Sequence, residues 1–103
     1  MGRRQLAETE YRASRLCRVL GNPTAYQILK ILIKRDRSVS ALAEAIGLSI
    51  KTISYTLKTL RQVDLVRYDT RDKNKVYFIK DPLVQNIVHS LEEYTNKMRE
   101  KKW

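Results

Sequence analysis

Apolar side chains recur along this chain at spacings of three and four as far as residue 63, and the rhythm then changes. Between Arg4 and Leu20, the residues Leu6, Ala13, Leu16, Cys17 and Leu20 share one stripe of a helix. "GNP" at 21–23 punctuates: Gly21 suits a helix C-cap, Asn22 an N-cap and Pro23 a first helical turn. Ala25, Ile28, Leu29, Leu32 and Ile33 make the next segment amphipathic, ending near "KRDR". A short third helix starts after Ser38 and turns Val39, Leu42, Ala43 and Ile46 inward. Gly47 breaks it, and Ser49 caps a fourth helix whose apolar stripe is Ile50, Ile53, Leu57 and Leu60.

Beyond Asp64, "LVRYD" and "KVYFIK" are rich in β-branched and aromatic residues, with "TRDKN" between them. They predict a β-hairpin with a loop of about five residues. Asp81-Pro82 restarts a helix, in which Leu83, Ile87, Leu91, Tyr94 and Met98 form a narrow stripe. That strip resembles a coiled-coil seam more than a broad core-facing surface. The expected fold is a single domain over 1–103, mainly α with a β-hairpin, in the order α-α-α-α-β-β-α. Residues 21–81 form its core motif, flanked by helices over 4–20 and 82–101.

A short helix, a turn containing glycine and a second, polar-faced helix are the ingredients of a helix-turn-helix. Ala43 is small enough for the helices to cross closely, Gly47 permits the turn, and Ile53 packs between them. The exposed face of the second helix presents Lys51, Thr52, Tyr55, Lys58, Thr59 and Gln62, with no acid. Composition bears on what that face meets. The chain has 21 Lys and Arg against 11 Asp and Glu, a net charge of +10, which favours a polyanionic partner. Residues 49–80 alone hold eight Lys and Arg against three Asp. No apolar run approaches the length of about 18 residues a membrane span needs. "MGRRQL" lacks an apolar segment behind its arginines, so no signal peptide is expected, and one cysteine makes no internal disulfide. A cytoplasmic protein is the simplest expectation.

The segments "LGNPTAYQILKIL", "SVSALAEAIGLS", "KTISYTLKTLRQVDLV" and "VYFIKDP" carry a resemblance to the ArsR/SmtB family of winged helix-turn-helix repressors. It runs from about Leu20 to Pro82, with Asn22-Pro23 at the family's Asp-Pro or Asn-Pro position and 51–57 as its recognition segment. Tyr55-Thr56 replaces the family's frequent Arg/His-His pair, so base preference does not carry over. Asp64 replaces the usual glycine before "LV", which leads one to expect a different backbone at that corner. The resemblance implies homodimers built from the first and last helices, and for many members a metal signal. The third helix has none of the cysteines one metal site needs. For the other site, His89 and Glu92 match the later ligand pair, but the earlier pair falls near Val76 and Phe78, which cannot ligate.

The expected DNA contacts are therefore Ser49, Lys51, Thr52, Ser54, Tyr55 and Lys58 on the fourth helix and Arg71, Lys73 and Lys75 on the wing, the last three on phosphates. The expected dimer contacts are Leu6, Ala13, Leu16, Cys17, Leu83, Ile87, Leu91, Tyr94 and Met98. Cys17 reads as a small buried hydrophobe at that seam, with redox sensing as the alternative. His89 reads as an interface or surface residue, and Tyr11, Tyr26, Tyr68, Tyr77 and Tyr94 as packing residues with a polar tip. No metal and no cofactor are expected, and no effector is named. One histidine, without a Gly-rich phosphate loop, gives catalysis little to stand on. The expected function is a dimeric regulator, a repressor acting at an inverted-repeat operator in double-stranded DNA. The alternatives are an architectural protein coating DNA and a protein-interaction winged helix; Thr52 and Tyr55 favour the regulator.

Overall fold

Local capping sets the helix boundaries. The computed structural model describes residues 4–100; the expected helix end at residue 101 lies outside them. Helix α1 (Glu8–Leu20) begins with acids in its first turn, where they offset the helix dipole. The Glu10 carboxylate accepts the Ala7 backbone N–H at 3.1 Å. The helix thus starts four residues later than its apolar spacing predicts, and Leu6 stands exposed ahead of it. In α2 (Pro23–Lys34) the Asn22 side chain accepts from the Ala25 N–H at 3.0 Å and proline occupies the first turn, as expected. In α3 (Val39–Ile46) the Ser38 hydroxyl accepts from the Ala41 N–H. Gly47 ends that helix at φ 83°, a left-handed backbone that glycine adopts without strain. In α4 (Ile50–Gln62) the Ser49 hydroxyl accepts from the Thr52 N–H at 3.1 Å.

The wing differs from its predicted form in two ways. Strands β2 (Val66–Arg71) and β3 (Asn74–Ile79) leave only Asp72 and Lys73 between them, a two-residue turn where about five residues were expected. Both turn residues have positive φ, 51° and 68°, as a type I′ hairpin requires. A further strand, β1 (Arg37–Ser38), pairs antiparallel with β3, giving the sheet order β1-β3-β2. Two residues are too short to leave a period in the sequence.

The core is made where α2, α3, α4 and the sheet meet. Ile28, Leu29, Leu42, Ile53, Leu57, Leu60 and Val66 are its largest fully buried side chains. Removing one of these by a Leu→Ala change costs about 2–5 kcal/mol. Ile50 was expected on this stripe and is instead 55% exposed, because residues 47–52 all stand clear of the body. Buried Thr56 takes a place on the inner face, its hydroxyl donating to the Thr52 carbonyl at 2.9 Å. Helix α5 (Leu83–Glu100) is anchored through Val84 and Val88, both buried.

The corner between α4 and β2 is a correction to expectation. Asp64 adopts φ 68°, the left-handed conformation that glycine would adopt freely. Its carboxylate accepts from Lys80 and forms an ion pair with Arg67 at 3.2 Å. The Lys80 hydrogen bond in particular holds its pKa below the ordinary value.

Candidate nucleic-acid interface

Two exposed polar segments, α4 and the wing, carry the residues expected to meet DNA. Ala43 and Ile53 are buried at the crossing of α3 and α4, and the left-handed Gly47 lets the chain reverse between them. With Ile53, Leu57 and Leu60 turned inward, Lys51, Thr52, Ser54, Tyr55 and Lys58 are all exposed. Tyr55 is 73% exposed, an unusual position for so large a ring. No acidic residue occurs in α4. Ser49 and Thr52 are pre-ordered: the Ser49 hydroxyl caps the helix and donates to the Thr52 hydroxyl at 3.0 Å. Thr52 keeps its own hydroxyl proton for an outside acceptor.

On the wing, the three expected cations have different surroundings. Lys73 sits exposed at the turn itself. The Lys75 ammonium lies 4.7 Å from the centre of the Tyr68 ring, which the Arg61 guanidinium also approaches at 5.1 Å. Arg71 donates to Asp36 at 3.1 Å and to Asp69 at 3.3 Å. These bonds, Asp36 first, raise its already high pKa. Arg71, expected on a phosphate, is exposed and also ties β2 to the segment leading into β1.

The residues expected at a dimer seam separate into two groups. Leu83, Ile87, Leu91, Tyr94 and Met98 leave much of their surface in water, and the first four, with Asn86 and Ser90, line an apolar groove of about 450 Å³ along α5. Ala13 and Cys17 are exposed on α1 of the single chain. Leu16, by contrast, packs half-buried against the core together with Val19 and Leu20. Leu6 lies outside the helix altogether. Tyr77 is buried and Tyr26 and Tyr68 are half-buried, whereas Tyr11 and Tyr94 are exposed and do not pack as expected.

A polar link between α2 and α5 was not foreseen. Glu92 accepts from the Tyr26 hydroxyl and from the Lys30 ammonium, both at 2.8 Å. The Lys30 bond, then the Tyr26 bond, lowers the Glu92 pKa. Desolvation, then the hydrogen bond to Glu92 and its charge, pushes the Tyr26 phenol up to about 12. Only the i, i+4 relation of Tyr26 and Lys30 hints at such a pair in sequence.

The metal sites that the ArsR resemblance brings with it do not fit these residues. Val76 and Phe78 lie on β3 and not on the helix that carries His89 and Glu92, and Glu92 is engaged with Tyr26 and Lys30. Among the described residues no three His, Cys, Asp or Glu side chains are gathered as a metal site needs. Among them, too, no helix is long and apolar enough to cross a membrane.

A buried helix crossing, an exposed polar helix and a two-stranded basic wing define the class: this is a winged helix-turn-helix protein, the fold of DNA-binding transcription regulators. Residues 20–69 match the family described as helix-turn-helix domain. The solved structure of Rv0081 from Mycobacterium tuberculosis is similar over 92% of this chain and 96% of its own, with 22% identity and a TM-score of 0.85. Mb0332 from Mycobacterium bovis, a homodimeric winged helix-turn-helix DNA-binding domain described as a possible ArsR-family regulator, is 24% identical. Coverage there is 97% of this chain and 94% of that one, with a TM-score of 0.84. NolR from Sinorhizobium fredii is 27% identical, with 89% and 96% coverage and a TM-score of 0.76. No curated protein matches the sequence significantly. Within the winged helix-turn-helix class, the fold is similar to that of Mb0332, which is described as a possible ArsR-family regulator.

Proposed function

We propose that this protein is a dimeric, sequence-specific DNA-binding transcription regulator, a repressor whose DNA affinity is independent of metal ions. The observation that carries the reading is the α4 face, where Lys51, Thr52, Ser54, Tyr55 and Lys58 are exposed together with no acid among them. A helix about 10–12 Å across fits a major groove about 12 Å wide, and polar groups in its first turns then reach base edges. Ser49 holds the helix start, Lys73 and Lys75 meet phosphates, and Arg71 braces the wing that carries them. Helices α1 and α5 supply the self-interface, with residues 21–81 as the DNA-binding core. Mb0332, described as homodimeric, supports that assembly. The engagement of Glu92 supports metal independence. A chain that binds chromosomal DNA in this way works in the cytoplasm and needs no catalytic group.

A two-fold dimer enters successive major grooves when its recognition helices stand about 34 Å apart, which requires half-site centres roughly 10–11 base pairs apart. Footprinting on genomic fragments tests this. Discrete protected inverted repeats with that spacing are expected; even coverage of every fragment would replace the regulator with an architectural protein. Repression is tested by transcription from a promoter carrying the protected site, which should fall when the protein is added.

A further inference from the structure

Beside α4 runs a groove of about 440 Å³ whose far wall comes from the end of α1 and the first turn of α2. Arg18, Asn22 and Thr24 face Thr52, Tyr55 and Thr59 across it. None of its lining residues is acidic, and Arg18 forms no ion pair among the described residues. The cleft further along α1 is different: there Arg12 and Arg15 share the lining with Asp64, and Arg12 contributes to holding the Asp64 pKa down. The Thr52 hydroxyl, which accepts from Ser49, has its own proton to donate toward the groove side.

Building on the DNA-binding reading, we infer that this groove seats a backbone phosphate of the strand bordering the major groove that α4 enters. The argument is geometric. A helix nearly fills the major groove, so whatever stands immediately beside it meets the sugar-phosphate wall and not the base edges. Arg18 and Thr24 stand there. The guanidinium supplies charge and a planar pair of donors suited to phosphate oxygens, and the threonine hydroxyl supplies a neutral donor. The contact positions α4 and carries no sequence information. It also separates the two flanks of α1: Arg18 serves DNA, while Ala13 and Cys17 remain for the partner copy.

The test compares wild type, Arg18→Ala, Arg18→Lys and Arg15→Ala as full chains, each bound to the footprinted operator and to random-sequence duplex over a range of salt. Arg18→Ala should weaken both DNAs alike and flatten the log K against log salt slope by about 0.9 for each subunit engaged. Arg18→Lys should restore the slope, and Arg15→Ala should leave it unchanged. Phosphate-ethylation interference should disappear at one position flanking each half-site in Arg18→Ala alone. Thermal melting of the variants confirms that each is folded. Wild-type binding with an unaltered slope and interference pattern in Arg18→Ala overturns this inference and leaves the DNA-binding reading standing. A wild type that binds neither DNA overturns both.

Discussion

The exposed stripe of α5 makes Leu91→Asp an informative perturbation. Leu91 lies at the centre of the series Leu83, Ile87, Leu91, Tyr94 and Met98, and it is 45% exposed. Fully burying a leucine contributes about 1.5–3 kcal/mol, so covering what remains of Leu91 contributes about 1 kcal/mol per subunit and about 2 kcal/mol per dimer. Aspartate forfeits that contribution and places a carboxylate from each subunit near the two-fold axis. Even a partial desolvation penalty of about 1 kcal/mol for each carboxylate, well below the full cost of a buried ion, raises the total to about 4 kcal/mol. At about 1.4 kcal/mol per tenfold, dimer dissociation then strengthens on the order of a thousandfold. Leu91 is outside the buried core, so the fold itself should survive.

Light scattering at micromolar concentration should report a dimer for the wild type and a monomer for Leu91→Asp, with similar thermal melting. Operator affinity should collapse in the variant although its α4 face is untouched, since two half-sites are no longer held by one particle. A monomeric wild type, or a Leu91→Asp chain that dimerises and binds like wild type, would refute the reasoning.

Three further outcomes are expected. Lys51→Ala should cost specific binding on the order of 1–3 kcal/mol more than non-specific binding, whereas Lys73→Ala should weaken both alike and reduce the salt slope by about one; identical behaviour on operator and random DNA would reverse these roles. Adding or chelating zinc, cadmium or nickel should leave operator affinity within tenfold in a gel-shift titration, and a larger change would overturn metal independence. For Tyr26, the pKa raised to about 12 means that the folded state retains the proton more tightly. Its stabilising effect is therefore complete below the phenol's ordinary 10.0 and lost as pH rises through about 12. Ultraviolet titration should show a late phenolate step that Tyr26→Phe removes. The lowered carboxyls of Asp64 and Glu92 act in the opposite direction, stabilising above their ordinary values of 3.8 and 4.5 and losing that effect as pH falls below them. Melting temperature should decline in acid, and less so in Glu92→Gln.

What was legible in the sequence was mostly local. Asn22, Ser38 and Ser49 cap helices through bonds to backbone three residues on, and Gly47 reverses the chain by its own backbone freedom. Such devices need no knowledge of the rest of the fold. The α4 face was legible because inward residues at helical spacing leave the others outward. Periodicity fails where an element outruns its neighbours: Ile50 has the right spacing for the core, but the first turn of α4 overhangs it. It fails again for Arg71, whose outward polar position says nothing about Asp36, far off in sequence, waiting beside it. The Tyr26–Glu92 bond, across 66 residues, was equally out of reach.

Asp64 carries this distinction furthest. A left-handed residue other than glycine costs about 1–2 kcal/mol, and aspartate tolerates it better than most because its short side chain bonds locally. A local reading therefore anticipates a changed corner. The observed φ of 68° shows that the surrounding structure dictates the backbone there. Leu60 before the corner and Leu65 and Val66 after it are all buried, and the Leu65 N–H donates to the Leu60 carbonyl at 3.0 Å. With both ends of the turn fixed in the core, few paths join them. Lys80 and Arg67 hold the carboxylate on the path that remains. The direction in which β2 leaves α4, and so the placing of the wing beside the α4 face, follows from burial on either side of Asp64 and not from the residue at the corner.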